Sequence, residues 1–190
     1  ASLAAEARAA GAQVILHLPM EPKGYPEENP GPGALLSAMD ETSLRAMAAR
    51  DLDWVGPVRG LNNHMGSRLT EDRASMDRLM RELKARGMFF LDSRTSPASV
   101  AADAARAAGV PVLERSVFLD DARDEAAIRG QLERAIALAE KRGRRGVVAI
   151  GHPYKETYAV LAEFAPRLRE GPVRPVLLDE LAARADEGAS

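Results

Sequence analysis

Short apolar runs alternate with segments of helical periodicity along most of this chain. Six runs are predicted to be strands, at residues 12–16, 58–61, 88–91, 110–113, 146–150 and 173–178. Helices are predicted at residues 4–10, 42–51, 71–86, 96–108, 124–142 and 155–170, with a last helix from Asp179. Strands that alternate with helices indicate right-handed βαβ crossovers and a parallel sheet covered by helices. The pattern therefore predicts an α/β fold.

Two architectures fit this order of elements, an open doubly wound sheet and an incomplete (β/α) barrel. No glycine-rich phosphate-binding fingerprint follows any predicted strand, which argues against a dinucleotide site. A barrel of this type begins with a strand, whereas this chain begins with a helix. We therefore expect residues 1–190 to form a single domain that is truncated at its amino terminus and lacks its first strands.

The predicted helix 71–86 indicates how the core forms. Thr70 is placed to cap the amino terminus of this helix. Apolar residues recur along it at helical spacing and predict a buried stripe. The stripe consists of Met76, Leu79, Met80 and Leu83. We expect these methionines to belong to the core rather than to a cofactor site.

Composition narrows the possible functions. The 190 residues carry a formal net charge of -2, with acidic and basic residues interleaved. The sequence therefore has no excess of positive charge of the kind that binds nucleic acid or an anionic membrane. Cysteine is absent, which excludes disulfides, thiolate metal sites and cysteine nucleophiles. No apolar run reaches the roughly 20 residues of a membrane span, and the first residues do not form a signal peptide. We therefore expect no nucleic-acid partner and no transmembrane segment in this chain.

Polar residues cluster directly after four of the predicted strands. The clusters are His17, Asn62-Asn63-His64, Asp92-Ser93-Arg94 and Gly151-His152. The carboxyl ends of parallel strands lie at one edge of a sheet, where α/β enzymes place their active sites. These side chains are therefore predicted to converge in one pocket.

All three histidines, His17, His64 and His152, fall at these strand ends. Neutral imidazole binds zinc and similar divalent ions, and its titration near neutral pH also suits proton transfer. Glu21 follows His17 by four positions, and a turn at Pro19 could bring both side chains to one ion. Glu21 could equally be the first residue of a solvated acidic loop. The histidines thus indicate metal binding or proton transfer, and both readings stay open.

Further polar residues are candidates for supporting roles. Asn62 and Asn63 offer amide groups beside His64, although consecutive asparagines are also common in turns. Asp92 follows a nearly continuous apolar strand and could orient an imidazole, act as a base, or pair with Arg94. Ser93 lacks the strand-turn-helix setting of a serine nucleophile.

Arg115 and Asp120 flank the apolar residues 117–119. They offer a site for an anionic group and one more carboxylate after the fourth predicted strand.

At these residues the sequence resembles the divergent polysaccharide deacetylase family, a branch of the polysaccharide deacetylase (NodB-homology) superfamily. The matching segments are HLPMEP at 17–22, NNHMGS at 62–67, FLDSRTS at 90–96, Arg115 with FLD at 118–120, and IGHP at 150–153. The resemblance implies a distorted, incomplete (β/α) barrel of parallel strands. By extension from the superfamily, it also implies metal-dependent removal of acetyl groups from a glycan.

The resemblance assigns roles to individual residues. In typical superfamily members an Asp-Asp pair after the first strand supplies a base and a metal ligand, and a His-x-x-x-His motif supplies two further ligands. Residues His17 to Glu21 resemble the second motif with its last histidine replaced by glutamate. His64 is the natural replacement ligand, Asp92 corresponds to the supporting carboxylate, and His152 matches the histidine that protonates the leaving group. No Asp-Asp pair precedes His17 in this sequence.

The leading hypothesis is a divalent-metal hydrolase of acetylated carbohydrate, with zinc as the expected ion. His17 and His64 hold the ion with Glu21 or an upstream aspartate, and His152 acts as general acid, oriented by Asp92. The predicted substrate-binding residues are Asn62, Asn63, Ser93, Arg94, Arg115 and Asp120. The family resemblance further implies export to the bacterial periplasm or envelope.

Two alternatives stand beside this hypothesis. The first is a glycan-binding or envelope-scaffold protein that keeps the fold without catalysis, although an aromatic content of 4% offers little material for sugar stacking. The second is an unrelated amidohydrolase-like barrel, which needs more histidine ligands than three scattered ones.

Overall fold

The structure of the protein is a computed structural model that describes residues 2–187, with side chains described for residues 3–185. It divides into two compact units, the first extending to Glu114 and the second beginning at Arg115. Each unit has its own hydrophobic core. Parallel strands and helices occur in both units, which confirms the predicted α/β class. The expectation of a single domain over residues 1–190 stays a prediction.

The first unit is built on a four-stranded parallel sheet. Its strands are β1 (Leu16–Met20), β2 (Gly60–Met65), β3 (Phe89–Asp92) and β4 (Val112–Glu114), and they lie side by side in that order. The helices of this unit are α1 (Ser2–Ala9), α2 (Glu41–Val55), α3 (Arg73–Ala85) and α4 (Ala101–Ala108). The register sets His17 of β1 opposite Asn62 of β2, and Asn62 opposite Leu91 of β3.

The core of the first unit joins one face of this sheet to the helices. Leu18, Met20 and Phe90 are fully buried in a cluster that includes apolar residues of α2, α3 and α4. The predicted stripe on α3 is confirmed, because all four of its apolar residues have no exposed surface. Alternate residues of β1 are therefore buried, while His17 between them is exposed.

The strands of the first unit begin later than the apolar runs suggest. The run 12–16 was predicted as a strand, but β1 begins at Leu16 and includes His17. The run 58–61 likewise precedes most of β2, which continues through Asn62, Asn63 and His64. Val58 is buried ahead of β2 without belonging to that strand, and Val14 and Ile15 are half-buried ahead of β1. His17 and the residues Asn62 to His64 consequently lie within strands, rather than in the loops that follow them.

The amino terminus of α3 also differs from the prediction. Asp72, and not Thr70, caps this helix, since its carboxylate accepts a 2.6 Å hydrogen bond from the Ser75 N–H. Thr70 lies in a preceding turn of 3₁₀ helix, where its hydroxyl donates to the carbonyl oxygen of Gly66 at 2.7 Å. Both residue types cap helices well, so the pattern alone did not separate them.

The second unit contains a two-stranded parallel sheet and three helices. Its elements are β5 (Val117–Phe118), α5 (Glu125–Arg142), β6 (Ala149–Ile150), α6 (Lys155–Glu170) and α7 (Leu178–Glu187). The sequence analysis anticipated α5 and α6 closely but did not assign β5. The core of this unit packs apolar residues of α5 and α6 against β5. Among residues 2–187, no helix has the length and apolar character needed to cross a membrane.

The predicted strand at residues 173–178 is wrong, because the structure has irregular backbone up to the start of α7 at Leu178. Pro172 and Pro175 provide the reason. Proline has no backbone N–H to donate to a strand ladder, so two prolines in a short segment disfavour pairing.

Candidate functional site

Two histidines meet on neighbouring strands of the first unit. His17 of β1 and His64 of β2 place Nε2 and Nδ1 3.0 Å apart, with their ring centroids separated by 4.8 Å. The register explains the contact, because His17 lies opposite Asn62 and diagonal residues on one face of a sheet are within reach of each other. His17 is exposed and His64 is half-buried. The predicted meeting of these two imidazoles is therefore present in the structure.

A buried hydrogen-bond network lies beside His17. Asn62 Oδ1 is 2.9 Å from His17 Nδ1, and Asn62 Nδ2 donates to Ser93 Oγ at 3.0 Å. Ser93 Oγ donates in turn to the carbonyl oxygen of Asn63 at 3.0 Å, and the Ser93 N–H donates to Asn63 Oδ1 at 2.8 Å. All three of these polar residues are buried. Their burial leaves little surface for contact with a substrate, and the substrate-binding role stays a prediction.

Glu21 is bonded elsewhere in the first unit. Its Oε2 accepts hydrogen bonds from the N–H and the hydroxyl of Ser37, at 2.6 and 2.7 Å, and its Oε1 lies 3.4 Å from Arg68 Nε. These contacts hold the loop that follows β1. Within residues 2–187, no group of three or more histidine, aspartate or glutamate side chains is arranged to hold a metal ion. The structure thus brings together two of the three predicted metal ligands.

Asp92 occupies a different place from the one predicted. Side chains alternate along a strand, and Leu91 is the residue opposite Asn62, so Asp92 faces away from His17. It is fully buried, and its two oxygens accept hydrogen bonds from the Arg94 N–H and the Ser99 hydroxyl, both at 2.7 Å. The backbone of Arg94 has a positive φ of 51°. Asp92 therefore fixes the tight turn after β3.

The arginine in this turn reaches a carboxylate of the same unit. Arg94 Nη1 lies 3.7 Å from Glu114 Oε2, and about a third of the Arg94 side chain is exposed. The guanidinium is thus accessible to solvent.

In the second unit, Asp120 holds His152 at two points. Asp120 Oδ1 lies 2.9 Å from His152 Nδ1, and Oδ2 accepts the backbone N–H of His152 at 2.6 Å. Oδ2 also accepts the hydroxyl of Thr157 at 2.7 Å. The carboxylate that contacts His152 is therefore that of Asp120, a role that the sequence analysis gave to Asp92.

The environment of Asp120 favours its ionised form. Burial raises the pKa of this carboxyl, but hydrogen bonds from Thr157 and from the backbone and ring of His152 outweigh burial and leave the pKa below its ordinary value. The close approach depends on Gly151, where a Cβ atom would lie 3.1 Å from Asp120 Oδ2. Asp120 is therefore an anion that accepts the Nδ1 proton of His152.

Thr157 is a site residue that the sequence analysis missed. It is the third residue of α6 and is buried. A hydroxyl in the first turn of a helix that directly follows Gly151-His152 is a signal that could have identified it.

Aromatic rings surround His152 within the second unit. Tyr154 stacks on the His152 ring with centroids 4.9 Å apart, and the Phe118 ring lies 5.5 Å away. The Arg115 guanidinium lies 5.2 Å above the Phe118 ring. These contacts restrict the imidazole, half of which remains exposed.

A groove of about 440 Å³ runs from His152 along the start of α6. Its lining includes Tyr154, Lys155, Tyr158 and Leu161. Tyr158 is 75% exposed and Leu161 is 39% exposed, so the groove presents aromatic and apolar surface beside the imidazole.

Known proteins resemble this chain over most of its length. The family model for divergent polysaccharide deacetylases matches residues 1–182. The uncharacterized protein YibQ of Escherichia coli (strain K12) is 38% identical over 168 residues, which are 87% of this chain and 51% of that protein. An uncharacterized protein of Haemophilus influenzae is 38% identical over 156 residues, which are 82% of this chain and 54% of that protein. The chain thus spans about half the length of these curated relatives.

A solved structure shares the fold. The crystal structure of the uncharacterized protein ATU2773 from Agrobacterium tumefaciens C58 matches with a TM-score of 0.87 and 26% identity, over 93% of this chain and 71% of that one. The motifs at His17, His64 and His152 are thus carried on a fold already seen in a crystal. From the match over residues 1–182, the chain belongs to the divergent polysaccharide deacetylase family.

Proposed function

We propose that this chain carries the metal-binding and proton-transfer residues of a carbohydrate deacetylase, which hydrolyses acetyl groups from a glycan. The observation that carries the proposal is the 3.0 Å separation of His17 Nε2 and His64 Nδ1. Zinc lies about 2.0–2.1 Å from an imidazole nitrogen, so two imidazoles that share one tetrahedral ion have nitrogens about 3.3 Å apart. The 3.0 Å separation of the histidine pair is close to this spacing, which supports a shared divalent ion.

The remaining ligands are part of the proposal. Two imidazoles suit zinc, and a carboxylate is the expected third ligand. That carboxylate is either Glu21, after release from Ser37, or the upstream aspartate that the family resemblance implies. A bound divalent ion supplies polarisation of the acetyl carbonyl and activation of water. A location in the periplasm or cell envelope belongs to the same proposal.

The His152–Asp120 pair is assigned the role of general acid. Asp120 is ionised and accepts the Nδ1 proton of His152, so the Nε2 atom is the position from which the ring can donate to a leaving amine or hydroxyl. An anion beside the ring also stabilises the protonated imidazole. Asp120 is thus a positioning residue for His152, rather than the substrate-binding residue that the sequence analysis proposed.

The groove beside His152 is the proposed site for a sugar ring of the substrate. Ligand pockets of about 300–1,000 Å³ are typical for small molecules, and the groove has about 440 Å³. Tyr158 offers an exposed aromatic ring for sugar stacking, and Lys155 offers a hydrogen-bond donor. Arg94 of the first unit, with its accessible guanidinium, stays a proposed contact for substrate.

A second candidate function is glycan binding without catalysis. The observation that favours it is the engagement of Glu21 by Ser37 and Arg68, which leaves two imidazoles without a third grouped ligand in the described part of the chain. This function needs the groove but not the ion.

The test uses the full-length protein and two histidine variants. We expect His64→Ala to lose both bound metal, measured by elemental analysis, and acetate release from an acetylated hexosamine oligosaccharide. His152→Ala is the matched control, since it should keep the metal and lose only acetate release, by about 10²–10⁴-fold. Oligosaccharide binding by the wild type without metal or acetate release would instead support the second candidate. Equal metal content in the wild type and His64→Ala would refute the proposed ligand.

A further inference from the structure

The network beside His17 determines which of its ring nitrogens carries a proton. The first step concerns Ser93. The carbonyl oxygen of Asn63 can only accept a hydrogen bond, so the 3.0 Å contact between this oxygen and Ser93 Oγ uses the hydroxyl proton. A hydroxyl has one proton. In any other hydrogen bond, Ser93 Oγ must therefore be the acceptor.

The second step concerns the Asn62 amide. Its terminal group lies 3.0 Å from Ser93 Oγ, and because Oγ must accept there, the amide nitrogen Nδ2 faces serine. The amide oxygen Oδ1 then faces His17 Nδ1, at 2.9 Å. If the amide were flipped, Asn62 Oδ1 would face Ser93 Oγ, and two hydrogen-bond acceptors would oppose each other. Asn62 and Ser93 are each 6% exposed, and an unsatisfied buried polar group costs about 1–3 kcal/mol.

The third step concerns the imidazole. Asn62 Oδ1 can only accept, so His17 Nδ1 carries the proton, and the neutral ring has its lone pair on Nε2. That atom is the one that lies 3.0 Å from His64 Nδ1. The lone pair accepts a hydrogen bond from the His64 Nδ1–H, or it binds a cation instead. A metal-ligating histidine is typically held in this way by an acceptor at its other nitrogen.

We propose that Asn62 and Ser93 are positioning residues that fix the tautomer and the ring orientation of His17, so that Nε2 is ready to bind a divalent ion. The proposal rests on the proposed metal site. It also gives buried Asn62 and Ser93 a role that does not require contact with substrate. The positions of both strands matter, because β2 supplies the amide and the residue after β3 supplies the hydroxyl.

The test reads the tautomer directly, by long-range ¹H–¹⁵N NMR of the ¹⁵N-histidine-labelled full-length protein without metal. We expect His17 to be protonated at Nδ1 in the wild type. Asn62→Leu removes the acceptor, and a mixture of tautomers should result. Asn62→Asp keeps an acceptor oxygen and should keep the wild-type tautomer. A His17 ring protonated at Nε2 in the wild type, or unchanged by Asn62→Leu, would overturn the proposal.

Metal affinity provides the second measurement, by titration with Zn²⁺ and calorimetry. Asn62→Leu and Ser93→Ala should weaken zinc binding by about 10–100-fold, as expected for residues that orient a metal ligand. Ser75→Ala is the matched control, because Ser75 is a buried serine of the same unit whose hydroxyl has no hydrogen-bond partner. It should leave both the tautomer and the affinity unchanged, and circular dichroism shows that each variant is folded.

The two proposals fail in different ways. If the His17 tautomer responds to Asn62→Leu but the wild type binds no divalent ion, the tautomer assignment stands and the metal-dependent function fails. If the wild type binds zinc and releases acetate, while Asn62→Leu and Ser93→Ala change neither the tautomer nor the affinity, the positioning role fails and the function stands.

Discussion

Asp120 contacts both the ring and the backbone of His152, through Oδ1 at 2.9 Å from Nδ1 and through Oδ2 at 2.6 Å from the N–H. One carboxylate thereby fixes the position of the residue and the tautomer of its side chain. Because the pair lies within the second unit, its chemistry can be tested separately from the metal ligands.

We predict that Asp120→Asn lowers kcat for acetate release by at least about tenfold while the metal content stays constant. The amide removes the negative charge that stabilises protonated His152 and can present a donor to Nδ1, which favours the wrong tautomer. Asp121→Asn is the control, since Asp121 is an exposed neighbour. Equal losses in both variants would show that the His152–Asp120 pair has no special role.

Acid should destabilise the protein partly through Asp120. The folded state holds the pKa of this carboxyl below its ordinary value, and the unfolded value is about 3.9. The stability that Asp120 contributes is thus fully present above the unfolded pKa and is lost as the pH falls through the folded one. Urea unfolding at pH 7, 5 and 3 should show a smaller acid-induced loss in Asp120→Asn than in the wild type. Parallel losses in the two proteins would contradict this assignment.

Tyr158→Ala should raise KM for an acetylated oligosaccharide about threefold to tenfold and leave kcat nearly unchanged. The ring is 75% exposed in the groove beside His152, and an aromatic contact contributes about 0.5–1.5 kcal/mol beyond its buried area. Tyr25→Ala, which removes an exposed tyrosine of the first unit, is the control and should leave KM unchanged. A lower kcat at constant KM would place Tyr158 in the chemical step instead.

Asp72→Ala should lower the free energy of unfolding by about 0.5–2 kcal/mol, because it removes the side-chain cap of α3. The comparison variant is Asp77→Ala in the middle of the same helix, where an exposed pair with Arg73 contributes about 0–1 kcal/mol. Urea denaturation measures both. A larger loss in Asp77→Ala would show that Asp72 is not the effective cap.

Periodicity in the sequence was a good guide to the buried segments. It was a poorer guide to the residues at which strands begin to pair. Lys155–Glu170 forms the expected helix because the charges at its ends and its apolar spacing agree, although Tyr154 provides no side-chain cap. The predicted strand bounds were too early in the sequence. Val58, for example, is buried but precedes β2, which begins at Gly60. Backbone pairing depends on the neighbouring strand, and a single sequence contains no direct record of it.

For the candidate site too, the sequence indicated the candidate histidines better than it indicated which residues they contact. The sequence analysis placed His17 and His64 at the ends of neighbouring strands, whereas the structure has both within β1 and β2, where the register brings them together. Asp92 was assigned as the partner of His152 from the family resemblance, in which it corresponds to the supporting carboxylate. Strand alternation turns Asp92 toward Ser99, and the carboxylate of Asp120, which was considered only for binding substrate, contacts the imidazole.

Because His17 pairs with Asn62 across β1 and β2, the register of these two strands determines whether the two imidazoles meet. Side chains change face with every residue of a strand, so deleting one residue upstream in β1 would send His17 into the core and bring a leucine to the surface. Such a chain could still contain all three histidines and yet have no paired imidazoles. If the paired imidazoles bind zinc as proposed, capture on immobilised zinc would then report whether the two strands have aligned during folding.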